Sequence, residues 1–357
     1  MRATTPGQPL RACEPTSGQP LHACEPDPGP SSLYSVTRII DRLAVVLVAL
    51  GAMLWGTDAL WRVPILRHLP RDPLLASTAI VFMEHLILTI CSIPILVVAR
   101  REIARLNGRQ WAAIIAIGVG ASAGATVLFT ISFGFGHYIE TLLLQKTQPL
   151  IAIILASLWL RERLVPPAYA LIPVAIAGAY LIAVPDPIHP QNAWNDFHVA
   201  AALFALGASA LWGAATVFGR YALADVSFTT LTGLRFTTAF PALAIVLFLE
   251  GGPGAFDHYQ AADVPLYLAV ALLPGLVAML LYYRGLASTP ASMATLAELA
   301  FPITGVLVGL LAFHQTIDAW QVFGIALLWS AIAGLDWLNA RRPARLERGA
   351  QALPVTA

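Results

Sequence analysis

Ten stretches of about twenty mainly apolar residues, joined by short polar connections, leave this 357-residue chain few ways to fold. They run 38–62, 74–99, 110–134, 137–160, 166–185, 197–223, 227–249, 263–287, 291–313 and 317–339. A helix needs about 20 such residues to cross ~30 Å of hydrocarbon. Composition supports that reading, with 58% hydrophobic and 11% charged residues. Soluble domains carry about 25% charged residues, and so few charges cannot cover a globular surface. The expectation is an all-α membrane protein with lipid as its solvent.

The flanks differ in kind. Residues 1–37 are rich in Pro, Gly and Ser and contain a near-duplicate, GQPLRACEP at 7–15 and GQPLHACEP at 18–26. They lack the apolar core of a signal peptide and read as a disordered cytoplasmic tail, with a second tail at 340–357. A net charge of +1 gives no reason to expect nucleic acid. Cys13, Cys24 and Cys91 are odd in number and fit no metal-ligand spacing, so no disulfide framework, metal or cofactor is expected. With the N-terminus inside, the cytoplasmic segments hold sixteen basic residues and the external ones three, Arg62, Arg67 and Arg71. The positive-inside rule then puts both termini in the cytoplasm.

The fourth and ninth stretches repeat one another. PLIAIILASLWLRE begins at Pro149 and PITGVLVGLLAFHQ at Pro302, so Glu162 corresponds to Gln315. Small residues follow in the next helix of each copy, Gly178 and Gly324, and the first and sixth stretches carry Trp55-Gly56 and Trp212-Gly213. Five spans per copy is an odd number, so consecutive copies must enter the membrane oppositely. The expected architecture is ten transmembrane helices in two inverted five-helix repeats, 38–185 and 197–339, joined by an external linker at 186–196. Inverted repeats place a binding site near the midplane between the halves.

With Trp-Gly in the first helix of each half and Pro followed thirteen residues later by Glu, the chain resembles the EamA-type family of the drug/metabolite transporter superfamily, over both halves. The resemblance implies a secondary carrier in the bacterial inner membrane, an exporter of amino acids, metabolites or drugs. Its partners are a small-molecule solute, the bilayer, protons as a coupling ion and a second copy in a homodimer. Gln315, in place of the acidic residue, and Leu171, in place of the equivalent of Gly324, depart from the pattern.

An ionisable group at the bilayer centre costs from about 2.5 kcal/mol upward and is a site candidate by default. Lys146, the chain's one lysine, sits ~14 Å below the outer end of its helix. It reads as an anchor for a carboxylate or phosphate, or as the partner of Glu298 or Glu84. A proline removes the hydrogen bond to the carbonyl four residues earlier, so Pro149 frees Gln145 and Pro302 frees Glu298. Those carbonyls, with Gln148, are expected to line a cavity unless a nearby Ser or Thr takes them. Arg235 is read as a substrate contact or an ion-pair member, and Glu84 with His85 as a proton relay or a helix-to-helix link. Glu140, with His137, lies near the outer rim, where solvation is the plain expectation. Trp55 and Trp212 read first as packing.

Two alternatives stay open. Lys146 and Arg235 would suit the phosphates of a nucleotide-sugar or phosphate-ester exchanger. GASAG at 120–124 matches the G-x-S-x-G elbow of serine hydrolases, which would make Ser122 a nucleophile in an intramembrane enzyme. Inside an apolar helix the same glycines read as a close-packing GxxxG pair, and no catalytic residue is expected.

Overall fold

The apolar stretches wind into helices throughout the computed structural model, which describes residues 44–70, 72–159, 166–222, 226–257, 259–286 and 297–340. The two tails, and Arg161, Glu162 and Arg163 at the end of the fourth stretch, lie outside the described residues. Those described contain helix and no strand. The elements are α1 (Ala44–Leu66), α2 (Pro73–Val98), α3 (Gly108–Gly134), α4 (Tyr138–Gln145) and α5 (Gln148–Trp159). There follow α6 (Pro166–Ala183), α7 (His198–Ala222), α8 (Phe228–Gly251), α9 (Ala261–Leu286), α10 (Ala300–Ala312) and α11 (Ala319–Ala340).

Local chemistry sets the helix starts. Asp72 caps α2 by accepting the Leu75 N–H at 2.8 Å, with Pro73 at the first position. Asn107 and Gln110 form a reciprocal capping box on α3. Ser227 caps α8, and Glu102 in turn accepts hydrogen bonds from the Ser227 backbone and hydroxyl and from Thr230. Burial disfavours the Glu102 carboxylate, but those donors outweigh it and hold its pKa below the usual value.

Most boundaries among the described residues lie within a few residues of those expected, with two differences. The first helix runs on to Leu66, past a break at Thr57. The fourth stretch is two helices; residues 291–296 of the ninth lie outside the described residues. Six helices among the described residues are long and apolar enough to cross a membrane, and α6, α10 and α11 supply shorter apolar stretches. Two turns are wound as π-helix, Ile117–Ala125 in α3 and Ala271–Val277 in α9.

Polarity is turned inside out. Val98, Leu249 and Leu311 are 86%, 75% and 73% exposed, while Asp58, Arg62, Glu84, His85 and Glu140 are buried. A contiguous apolar outer face of this kind is a lipid-facing surface. Each apolar core cluster mixes residues from before and after the linker: Leu144 and Ile182 with Ala205 and Leu328, Phe82 and Val127 with Leu243, Ala52 and Phe133 with Ala208 and Phe301.

The recurring glycines mark close approaches. A Cβ on Gly178 would stand 2.7 Å from the Gly324 carbonyl oxygen, and one on Gly324 2.7 Å from that of Gly178, so α6 and α11 meet backbone to backbone. The Trp-Gly glycines do the same across the halves. A Cβ on Gly56 would lie 2.6 Å from the Phe301 carbonyl, and one on Gly213 3.2 Å from that of Gln148. The first helix of each half thus seats against the proline-bearing helix of the other. Gly178→Leu is expected to cost about 1–3 kcal/mol by overpacking and to lower the melting temperature in detergent. Gly219→Ala, where a Cβ meets nothing within 4 Å, is the silent control.

Candidate functional site

A cavity of about 580 Å³ opens where α1, α2, α3, α7, α8, α9 and the break between α4 and α5 converge. That break follows from Pro149, which has no N–H to donate. The Lys146 and Thr147 amides turn back to Leu143 and Leu144, three residues earlier, and α5 restarts at Gln148. The freed Gln145 carbonyl does not stay bare: the Ser209 hydroxyl lies 3.1 Å from it and 3.3 Å from the Leu144 carbonyl. What reaches the cavity is the Gln145 side chain, whose amide donates to Gln148 Oε1 at 2.9 Å.

Lys146 Nζ lies 4.0 Å from Glu298 Oε2 and 4.3 Å from the centre of the Phe301 ring. The Tyr282 hydroxyl donates to the other Glu298 oxygen. Gln148 reaches Thr216 at 3.5 Å. Arg235 Nε donates to Ser122 Oγ at 2.8 Å, and no carboxylate lies within 4.0 Å of Arg235 among the described residues. Aromatic rings close the walls: Trp55, Phe129, Trp212, Phe236, Tyr282 and Phe301. The Trp212 indole N–H donates to the Ala121 carbonyl in the π turn of α3. Both π turns face the cavity, through Ile117 and Ser122 in α3 and Pro274 and Gly275 in α9. π turns are rare and frequent at functional sites.

One end of the cavity is a buried ion cluster. Arg62 bonds Asp58 at 2.5 Å and Glu84 at 2.9 Å, with Thr130 Oγ1 3.3 Å away. Beside it, the His85 Nδ1–H donates to the Val81 carbonyl. Arg62 is 3% exposed, so its assignment to an external loop is corrected: helix α1 continues beyond it.

The cavity therefore gathers Lys146, Gln145, Gln148, Glu298, Arg235, Glu84 and His85, together with Pro149. Glu140 stands apart and is not solvated at a rim. It is 2% exposed and accepts a 2.6 Å hydrogen bond from His198 Nδ1. Pro302 lies inside α10, behind Phe301. GASAG also reads differently from expectation. A Cβ on Gly120 would meet nothing within 4 Å, whereas one on Gly118 would clash with Thr238 and the Arg235 carbonyl. Ser122 sits in a helical turn accepting from Arg235, without the strand–turn–helix that a nucleophile elbow requires.

Gln315, the departure from the repeat, has a structural task. Its oxygen accepts the Ile139 N–H at 2.9 Å and its amide nitrogen donates to the Gly136 carbonyl, tying the end of α10 to the start of α4. A carboxylate could accept but not donate. Gln315→Glu is expected to cost about 1–3 kcal/mol through the unsatisfied carbonyl, read as a lower melting temperature. Gln315→Met, which removes both bonds, is the comparison.

A lipid-faced helical bundle encloses a polar, aromatic-walled cavity beside a broken helix, a space fit to hold a small solute. The model of the EamA-like transporter family matches residues 42–184 and again 199–335, and the chain belongs to that family. It is 30% identical over 300 residues to the riboflavin transporter ImpX of Fusobacterium nucleatum, covering 82% of this chain and 97% of that protein. One solved crystal structure shares the fold at 18% identity with a TM-score of 0.53, over 84% of this chain and 99% of that one.

Proposed function

We propose that this chain carries a flavin-like solute, a flat heteroaromatic ring bearing a polyhydroxyl chain, across the bacterial inner membrane. It does so by alternating access between two inverted five-helix repeats, 38–185 and 197–339, with both termini cytoplasmic. The observation that carries the reading is the cavity's mixture of aromatic rings with amide, hydroxyl and charged side chains. Its volume of about 580 Å³ falls within the ~300–1,000 Å³ typical of small-molecule sites. Trp55, Trp212 and Phe301 offer stacking faces. The edge of an isoalloxazine ring presents two carbonyls and an N–H, which the amides of Gln145 and Gln148 complement. The name of the Fusobacterium relative points the same way. Asp58 and Glu84 share one guanidinium, and the carboxylate in excess is the natural seat of a coupling proton.

Purified protein in proteoliposomes is expected to exchange labelled riboflavin in counterflow, faster with an imposed proton gradient, and flux read from both sides gives the direction. Absence of riboflavin counterflow alongside robust exchange of amino acids would overturn the flavin reading. Arg235, without a carboxylate partner among the described residues, favours a second reading, a phosphate ester. Exchange of the flavin 5′-phosphate in preference to riboflavin would select it.

A further inference from the structure

Outside the cavity, the side chains of His137, Glu140 and His198 converge at the outer end of α4. Each offers one ligand atom, and the three atoms lie within 4.8 Å of one another. We propose that they form a binding site for a divalent transition ion of the Zn²⁺ class. A hydrogen bond between His198 and Glu140 alone would account for only half of the carboxylate. Glu140 Oε2 lies 2.6 Å from His198 Nδ1, but Oε1 is buried with no hydrogen-bond partner. A buried carboxylate oxygen left bare is costly, and a cation supplies what the surrounding protein does not.

The second histidine is prepared for the same role. The His137 Nε2–H donates to the Asp196 carbonyl at 2.7 Å, which leaves the Nδ1 lone pair for a ligand. Metal-bound histidines characteristically hold their other ring nitrogen in this way. Glu140 is buried while both histidines are partly open, so the site has a floor and an entrance. Two imidazoles and a carboxylate suit Zn²⁺, Co²⁺ or Ni²⁺ rather than Mg²⁺ or Ca²⁺. At ~2.0–2.1 Å from a tetrahedral ion, ligand atoms lie about 3.3 Å apart. The His137 and His198 rings lie against each other, centroids 3.7 Å apart and planes 30° from parallel. One ring would therefore turn as the three ligand atoms close by roughly 1.5 Å at most, leaving a fourth position for water. His137 and Glu140 precede the linker and His198 opens α7 after it, so the ion would tie one repeat to the other.

The test uses the full chain, tag-free, in detergent and stripped with a chelator. Titration with ZnCl₂ against a chromophoric chelator is expected to show one Zn²⁺ per chain, with no competition from Mg²⁺. E140Q and H198N are each expected to weaken binding at least ~10–100-fold. Stripped wild type binding no stoichiometric Zn²⁺, or either variant binding like wild type, would overturn the site. If the variants fail to fold, Co²⁺ bound to wild type decides the matter. A tetrahedral nitrogen-and-oxygen spectrum supports the site, and an octahedral or sulfur-ligated one rejects it.

Discussion

Lys146→Ala is expected to lower solute flux by at least about 100-fold, equivalent to ~2.7 kcal/mol, without loss of membrane insertion. Lys146 is the first residue past the end of α4, in the two-residue turn before α5 restarts at Gln148, and it lines the cavity rather than continuing a helix face. Its ammonium stands 4.0 Å from Glu298 and over the Phe301 ring, and both groups line the same space. A solute that displaces Glu298 from Lys146 gains a cation already desolvated and positioned, so truncation should strike transport before stability. The double variant Lys146→Ala/Glu298→Gln separates the roles. If the pair were only structural, neutralising both partners would restore flux; a binding role predicts that flux stays lost. Normal flux in a well-expressed single variant would remove Lys146 from the site.

The second large effect falls on stability. Arg62→Leu is expected to cost about 3–5 kcal/mol, a large share of the ~5–15 kcal/mol that holds a typical domain together. The substitution leaves the Asp58 and Glu84 carboxylates buried and facing each other without their shared cation. Thermal melting in detergent should show a sharply lower midpoint and poor yield. Asp58→Asn/Arg62→Leu/Glu84→Gln should recover much of that loss, because the penalty belongs to the uncompensated charges rather than to the missing arginine. A single variant melting like wild type would mean that the carboxylates find other partners.

How far these groups could be read in the sequence depends on the distance over which they act. Lys146 was legible as the chain's one lysine, placed deep in an apolar stretch, and Glu298 because it holds the place before Pro302 that Gln145 holds before Pro149. Arg62 was not, because an arginine at the end of an apolar run looks like an end anchor. Only the register between α1 and α2 reveals Glu84 opposite it. Glu140 looked like a rim residue for a similar reason, since its partner His198 arrives across the linker. The GxxxG reading holds for Gly124, which packs against Leu211 of α7, and fails for Gly120 for a different cause. A π turn widens the helix, so face assignments by a 3.6-residue period slip, and Gly118 rather than Gly120 turns toward α8. Gln315 could be seen as a departure, but its purpose appears only when the start of α4 is set beside it.

The seating of Gly56 on Phe301 and of Gly213 on Gln148 has a consequence for how the chain is made. Helices enter the membrane in the order of synthesis. When α7 is inserted, the surface that receives Gly213 has already been laid down. Gly56 has no such welcome: its groove faces lipid, or a provisional neighbour, until α10 emerges near the end of the chain. The early helices must therefore wait in a loosened arrangement, and the last to arrive draw the first into place. Assembly is finished from the back.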